Sequence, residues 1–227
     1  CGSISSRAKP KTARWSGWTD SMLKILGRPN SQNVQKVLWL CGELDLDYEL
    51  DLHGLEHGRN DQPEYLALNP MGRVPTIFDG DFVLWESNAC LRYLARKHSY
   101  GDLYPTDERA MARGNRWMDW GLAHFNQAMR PVFWGLTRAT LVDIDQDTMR
   151  AKRNEVAVLL AMVDRYLGET DYLAGDGFSI YDIPLGIQAY RWFNLDIERE
   201  KLDNFDAWYG RLKARPAFQT HIAVGLT

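Results

Sequence analysis

Glu86-Ser87 closes the stretch GRVPTIFDGDFVLWES, residues 72 to 87, where a short apolar run stops and helical spacing starts. The first turn of a helix leaves backbone N–H groups unpaired and partly positive, so such a start holds a carboxylate. Glu86 beside it offers the opposite charge to an ammonium, and an amino-acid head group carries both. The pair is equally an ordinary helix start, where an acid and a hydroxyl stabilise the first turn by about 1 kcal/mol. Upstream, Val74-Pro75 opens the preceding strand, a place where proline is tolerated. In the cis form it would turn the backbone so that Val74 presents its own N–H and C=O to an extended ligand. Hairpin and helix start then form one surface, with backbone pairing at Val74 and head-group capture at Glu86 and Ser87.

The elements that must position these residues follow from the chain's periodicities. MLKILG (22 to 27) alternates apolar and polar positions and stops at Gly27, as a short strand does. RPNS makes a loop, and QNVQKVLWLCGELDL repeats apolar residues at helical spacing through Val34, Val37, Leu38 and Cys41. DYELDL (47 to 52) reads as a second strand, and QPEYLALNP as a short helix opened by Pro63 and ended at Asn69-Pro70. VPTIFDGDFVLW is a hairpin about Asp79-Gly80, and SNACLRYLARKH is a helix with Ala89, Leu91, Leu94 and Ala95 on one face. The order βαβα then ββα predicts a four-stranded mixed sheet, parallel through a right-handed crossover and antiparallel at the hairpin. Beyond YGDLYPTDE the reading is all-helical, over 108–134, 146–169, 180–194 and 204–215. The expected organisation is therefore an α/β domain over 22–99, a linker over 100–107 and a helical domain over 108–227, with 1–21 as a tag or extension.

Composition narrows the function classes. With 45% hydrophobic and 12% aromatic residues, 227 residues suffice for one large core or two modest ones. The 27 basic and 30 acidic side chains are spread along the whole length, which leaves no basic arm for nucleic acid. Cys1, Cys41 and Cys90 form neither a C-x-x-C nor a zinc-like spacing, a usage that fits a reducing cytoplasm and no metal. No apolar run approaches the roughly 20 residues of a membrane span, and residues 1–21 lack the apolar core of a signal peptide. A protein independent of membranes is expected.

The chain resembles a cytosolic glutathione S-transferase, of the bacterial, theta-like kind that uses serine or asparagine. The resemblance rests on RVPTIFDGDFVLWESNACLRYLA, on the βαβα-ββα order with a helical second half, and on LAGDGFSIYDIP (173 to 184). In the last of these, Ser179-x-x-Asp182 is the hydroxyl-plus-acid box that caps a helix in the family's second domain. Residues 22 to 222 are covered. The resemblance implies a thioredoxin-like N-terminal domain in which Val74, before a cis Pro75, pairs with the cysteinyl backbone of glutathione. Glu86 and Ser87 would hold the γ-glutamyl end and Arg73 the glycyl carboxylate, with Asn60 and His57 in a loop that adds a contact. Also implied are glutathione as co-substrate, a homodimer, a cytoplasmic location and a part in detoxification.

Conjugation needs a thiolate, and a free thiol with a pKa of about 8.5 is only slightly ionised at neutral pH. One hydrogen bond to the charged sulfur, at roughly 1.5 to 3 kcal/mol, lowers that pKa by about one to two. In GRPNSQNVQKV, Ser31 occupies the place of the catalytic hydroxyl in the similar serine-type transferases, and Asn33 can also donate. Both also read as caps of the helix that follows. The loop holds no tyrosine and no cysteine, which argues against the tyrosine-type and cysteine-type classes; Cys41 and Cys90 read as core. The electrophile pocket is expected along RWMDWGLAHFNQAMRPVFW, with Trp120 and His124 touching a small hydrophobic electrophile. The reading is a transferase conjugating glutathione to that electrophile. The alternatives are a glutathione-dependent disulfide or peroxide reductase, which turnover of small disulfides would mark, and a non-catalytic binding module, which weak glutathione affinity would mark.

Overall fold

The computed structural model describes residues 22–139 and 144–226, so the extension read at 1–21 lies outside the described residues. Strand β1 (Leu23–Gly27) is buried along its whole length because it has neighbours on both edges. It pairs parallel with β2 (Tyr48–Leu52), bringing Leu23 opposite Tyr48, and antiparallel with β3 (Thr76–Asp79), bringing Ile25 opposite Ile77. The hairpin from β3 to β4 (Phe82–Trp85) turns through Gly80 at φ +61°, and the sheet order is β2-β1-β3-β4. Helices α1 (Gln32–Glu43), α2 (Pro63–Leu68) and α3 (Ser87–His98) complete this half, with a short 3₁₀ turn at Leu55–His57. This is the mixed, thioredoxin-like sheet that the periodicities and the resemblance predict.

The remainder is helical: α4 (Glu108–Trp120), α5 (Asn126–Thr137), α6 (Gln146–Leu167), α7 (Asp182–Asn194), α8 (Asp203–Lys213) and α9 (Pro216–His221). Asp107 and Asp145 cap α4 and α6 by accepting from Ala110 N at 2.7 Å and Thr148 N at 2.8 Å. The run from 108 to 134, read as one helical stretch, contains a π-helical turn over Gly121–Phe125 before α5, and Pro131 then leaves the Gln127 carbonyl without its in-helix donor. Helix α9 was not anticipated, although Pro216 at its first position is the usual signal for a new start.

Helix α1 holds the two halves together. Every residue from Val34 to Cys41 is buried, because α3 covers one side while α7 and α9 cover another. At Gly186 of α7 a Cβ would come within 2.8 Å of Leu212 and 3.0 Å of Trp39, so glycine is what lets α7 approach α1 this closely. At the far end of α1, Glu43 accepts two bonds from Arg215, at 2.8 and 2.7 Å, and one from Trp39 Nε1 at 2.7 Å. That fork-shaped pair pins α1 to the chain between α8 and α9.

The Ser179/Asp182 box is built as the sequence suggests and then extended. Asp182 is fully buried; its Oδ2 accepts from Ser179 N and Oγ at 3.0 and 3.2 Å. Its Oδ1 accepts from Leu173 N at 2.9 Å and from Trp208 Nε1 at 3.0 Å, which ties the start of α7 to α8. Burial pushes the carboxyl up to about 6, against the pull of these donors. Asp182→Ala would strand three buried N–H donors, so we expect it to lower the free energy of unfolding by about 3–5 kcal/mol. Urea titration measures this, and a loss under about 1 kcal/mol would contradict the assigned role.

Candidate functional site

A cleft of about 450 Å³ lies where the start of α1, the turn before β3 and the start of α3 face α5 and α7. Ser31, Asn33, Arg73, Val74, Pro75, Glu86 and Ser87 all line it, so residues far apart in the chain converge on one surface. Asn60 lines it too. His57 does not; it faces Glu56 at 3.4 Å.

Ser31 is the N-cap of α1, with φ −88° and ψ 121°, and its carbonyl accepts from Gln35 N at 2.8 Å. Its hydroxyl makes no capping bond to the helix and is left for a ligand. Asn33 is placed differently: its Oδ1 accepts from the Ser87 hydroxyl at 3.3 Å, which makes it a strut between α1 and α3. Both lie at a helix N-terminus, where the peptide dipoles favour an anion.

The segment before β3 is pinned from behind. The Arg73 carbonyl accepts from Tyr65 Oη at 2.6 Å and Asn69 Nδ2 at 2.8 Å, and the Gly72 carbonyl accepts from Asn60 Nδ2 at 2.7 Å. The Val74–Pro75 peptide is cis. Val74 N–H and C=O have no hydrogen-bond partner among the described residues, so they are available to an extended backbone laid along the cleft. Glu86 is exposed at φ +69°, a conformation that costs a non-glycine residue free energy. This geometry sets the carboxylate of Glu86 at the rim while Ser87 begins α3 in the wall.

Trp120 and His124 are corrected by the structure: neither lines the cleft. Trp120 packs edge-on against Trp117 at 5.2 Å and against Phe125 at 5.5 Å, while His124 is exposed. The π-helical turn displaces the register, so the cleft face of this stretch comes instead from Asn126, Met129, Arg130, Phe133 and Trp134.

Residues 30–97 match the family model for the glutathione S-transferase N-terminal domain, and residues 123–216 match the model for the C-terminal domain. Glutathione S-transferase GstB of Escherichia coli is 36% identical over 205 residues, 89% of this chain and 99% of that protein. The chain belongs to the glutathione S-transferase family. Glutathione S-transferase 3 of Zea mays is a further relative, 33% identical over 88% of this chain and 93% of its own. A theta class glutathione S-transferase from Xanthomonas axonopodis pv. citri, solved with glutathione bound, superposes with a TM-score of 0.87 at 43% identity, covering 91% of this chain and 100% of that one.

Within this transferase-family frame, the residue that sequence reasoning missed most clearly is Lys36. It is buried beneath the start of α3, where Nζ donates to Ser87 Oγ at 3.2 Å and to Asn88 Oδ1 at 3.0 Å. Its position in QNVQKV reads as an exposed face of α1, and only the covering by α3 makes it internal. Burial lowers the ammonium to about 8, with Glu86 pulling it partly back up. A lysine whose folded value lies below its ordinary 10.5 loses its proton on folding between those two values, so its contribution to stability grows as pH rises through them. Lys36→Met keeps the apolar stem and removes the titration. We expect the stability difference to move in favour of the wild type by up to about 3 kcal/mol from pH 8 to 10.5. Urea unfolding of both proteins at the two ends of that window reads it, and a pH-independent difference would contradict the burial of the charge.

Proposed function

We propose that this protein is a glutathione transferase in which Ser31 donates its hydroxyl hydrogen to the glutathione thiolate, and that this thiolate attacks a small electrophile seated against α5 and α7. The carrying observation is Ser31 itself: a helix-cap hydroxyl, uncommitted to its helix, in one cleft with Val74, Glu86, Ser87 and Arg73. The tripeptide would run with its cysteinyl backbone on Val74 and its ammonium on Glu86. Its γ-glutamyl carboxylate would meet the N–H groups of Ser87 and its neighbours, and its glycyl carboxylate Arg73. Relatives named as glutathione S-transferases, and a similar structure solved with glutathione bound, support the choice of ligand.

The chemistry is electrostatic stabilisation and positioning. A charged-sulfur hydrogen bond of roughly 1.5 to 3 kcal/mol from Ser31, with a smaller contribution from the start of α1, brings the thiol into its ionising range near neutral pH. The attacking thiolate should keep a moderate pKa, because nucleophilicity falls as the pKa falls. Asn33 supports the site through Ser87 and is the second choice of donor. The buried, unpaired Cys41 and Cys90, both held near 12 by burial, supply no thiolate of their own, in keeping with a cytoplasmic enzyme that uses the thiol of its co-substrate. Assembly as a homodimer and a part in detoxification belong to the same proposal.

Ser31→Ala should raise the pKa of the bound thiol by about one to two and lower kcat roughly 10-fold or more, with glutathione affinity little changed. Glu86→Ala should instead raise KM for glutathione. The ultraviolet absorbance of the thiolate across pH, read beside steady-state kinetics, separates the two effects. An unaltered thiolate titration in Ser31→Ala would transfer the role to Asn33, and dominant turnover of small disulfides would favour the reductase.

A further inference from the structure

The half of the cleft left for the second substrate is cationic. Met129, Phe133 and Trp134 give it an apolar floor, but Arg191 of α7 shares that floor, Arg130 of α5 lies at the rim, Arg138 follows the last turn of α5, and Arg28 enters from the β1–α1 loop. Arg191 is only 8% exposed. Its Nη1 donates to Gln32 Oε1 at 2.8 Å, next to Ser31, and its guanidinium lies 3.9 Å from the centre of the Phe133 ring. Among the described residues, the other N–H groups of Arg191 have no acceptor, and none of Arg28, Arg130 and Arg191 forms an ion pair. Arg28 is likewise buried, and its Nε has no hydrogen-bond partner among the described residues. The acids facing the group are Glu56, which acts on Arg28 and Arg138 from a distance, and Glu86 across the cleft.

Arginine does not discharge by losing its proton, so these positive charges persist. Burial followed by Arg138 and Arg28 lowers Arg191 to about 9, the mark of a cation placed among cations without an acid. Such a charge is costly unless a bound anion compensates it. In the arrangement proposed above, glutathione's own anions already have partners at the start of α3, at Arg73 and at Ser31. Arg130 and Arg191 on the helical side are left over.

We propose that the second substrate is an acidic electrophile, a small apolar body bearing a carboxylate, and that Arg191 receives the carboxylate with Arg130 and Arg138 beside it. The planar fork of a guanidinium suits a carboxylate, and the Phe133 face suits the body that carries it. This rests on the transferase reading. In the reaction the thiolate sulfur forms a bond to the electrophilic carbon, the leaving halide departs with its bonding electrons, the thiol proton passes to solvent and the carboxylate is unchanged.

The test uses the full chain at saturating glutathione with a chlorodinitrobenzoate and the carboxamide of the same acid, which share the ring, the leaving chloride and the point of attack. After division by the uncatalysed rates, kcat/KM should favour the acid by about 10-fold or more. In Arg191→Met, turnover of the acid should fall roughly 30-fold and the acid-to-amide ratio should approach one. Should that variant not fold, Arg130→Gln at the exposed rim should lower the same ratio by about threefold or more. Equal turnover of acid and amide by the wild type, or preference for the amide, overturns the proposal and leaves the transferase intact. Equal losses on both substrates in Arg191→Met, with a raised thiol pKa, overturn it too, by assigning the cation to the thiolate. Glutathione binding absent by calorimetry overturns the transferase reading beneath it.

Discussion

Helix α1 has no solvent face along its middle, and the site depends on that constraint. Its first residues form one wall of the cleft, its flanks touch α3, α7 and α9, and its end is clamped by Arg215 on Glu43. A helix held on so many sides cannot shift its N-terminus without disturbing several packed surfaces at once. Ser31 is thereby fixed relative to the turn at Val74, the start of α3 and the arginines of α5 and α7, which come from four separate parts of the chain.

Polar groups inside the protein set orientation more than they add stability. Tyr65 and Asn69 hold the carbonyl of Arg73, Asp182 collects donors from three segments, and Lys36 bridges to Ser87 and Asn88. Each is satisfied, and each would be expensive to leave unpaired, so each admits few arrangements of the elements it joins. The residues that face the cleft, such as Ser31 and Val74, differ in that their hydrogen-bonding capacity is kept open. Rigid backing behind unspent donors and acceptors is how a site is prepared before its ligand arrives.

Charge divides the cleft. On the sheet side, Glu86, the helix starts and Arg73 offer both signs, which matches a zwitterionic peptide. On the helical side, aromatic surface is mixed with arginine, and Arg191 lies deep between Gln32 and Phe133. The sequence expectation was a pocket for a hydrophobic electrophile touched by Trp120 and His124; Trp120 instead packs on Trp117 and Phe125, His124 is exposed, and the aromatic surface of the cleft comes from Phe133 and Trp134.

Local signals in the sequence determined the elements and one half of the site. The turn residues, the Pro63 start, the hairpin and the alternation in β1 are set by backbone preference and nearest neighbours, so they were legible without a structure. Val74-Pro75, Glu86-Ser87 and Ser31 could be located for the same reason, since each lies at a turn or helix start that local residues define, and all of them line one cleft. The opposite wall was decided only by tertiary structure. Lys36 became a buried cation because α3 covers it, and Trp120 and His124 miss the cleft because the first packs on Trp117 and Phe125 and the second faces solvent. Arg28 and Arg191, separated by most of the chain, became neighbours through the packing of α7 on α1. Burial and charge proximity arise between distant segments, and no local pattern of residue types encodes them.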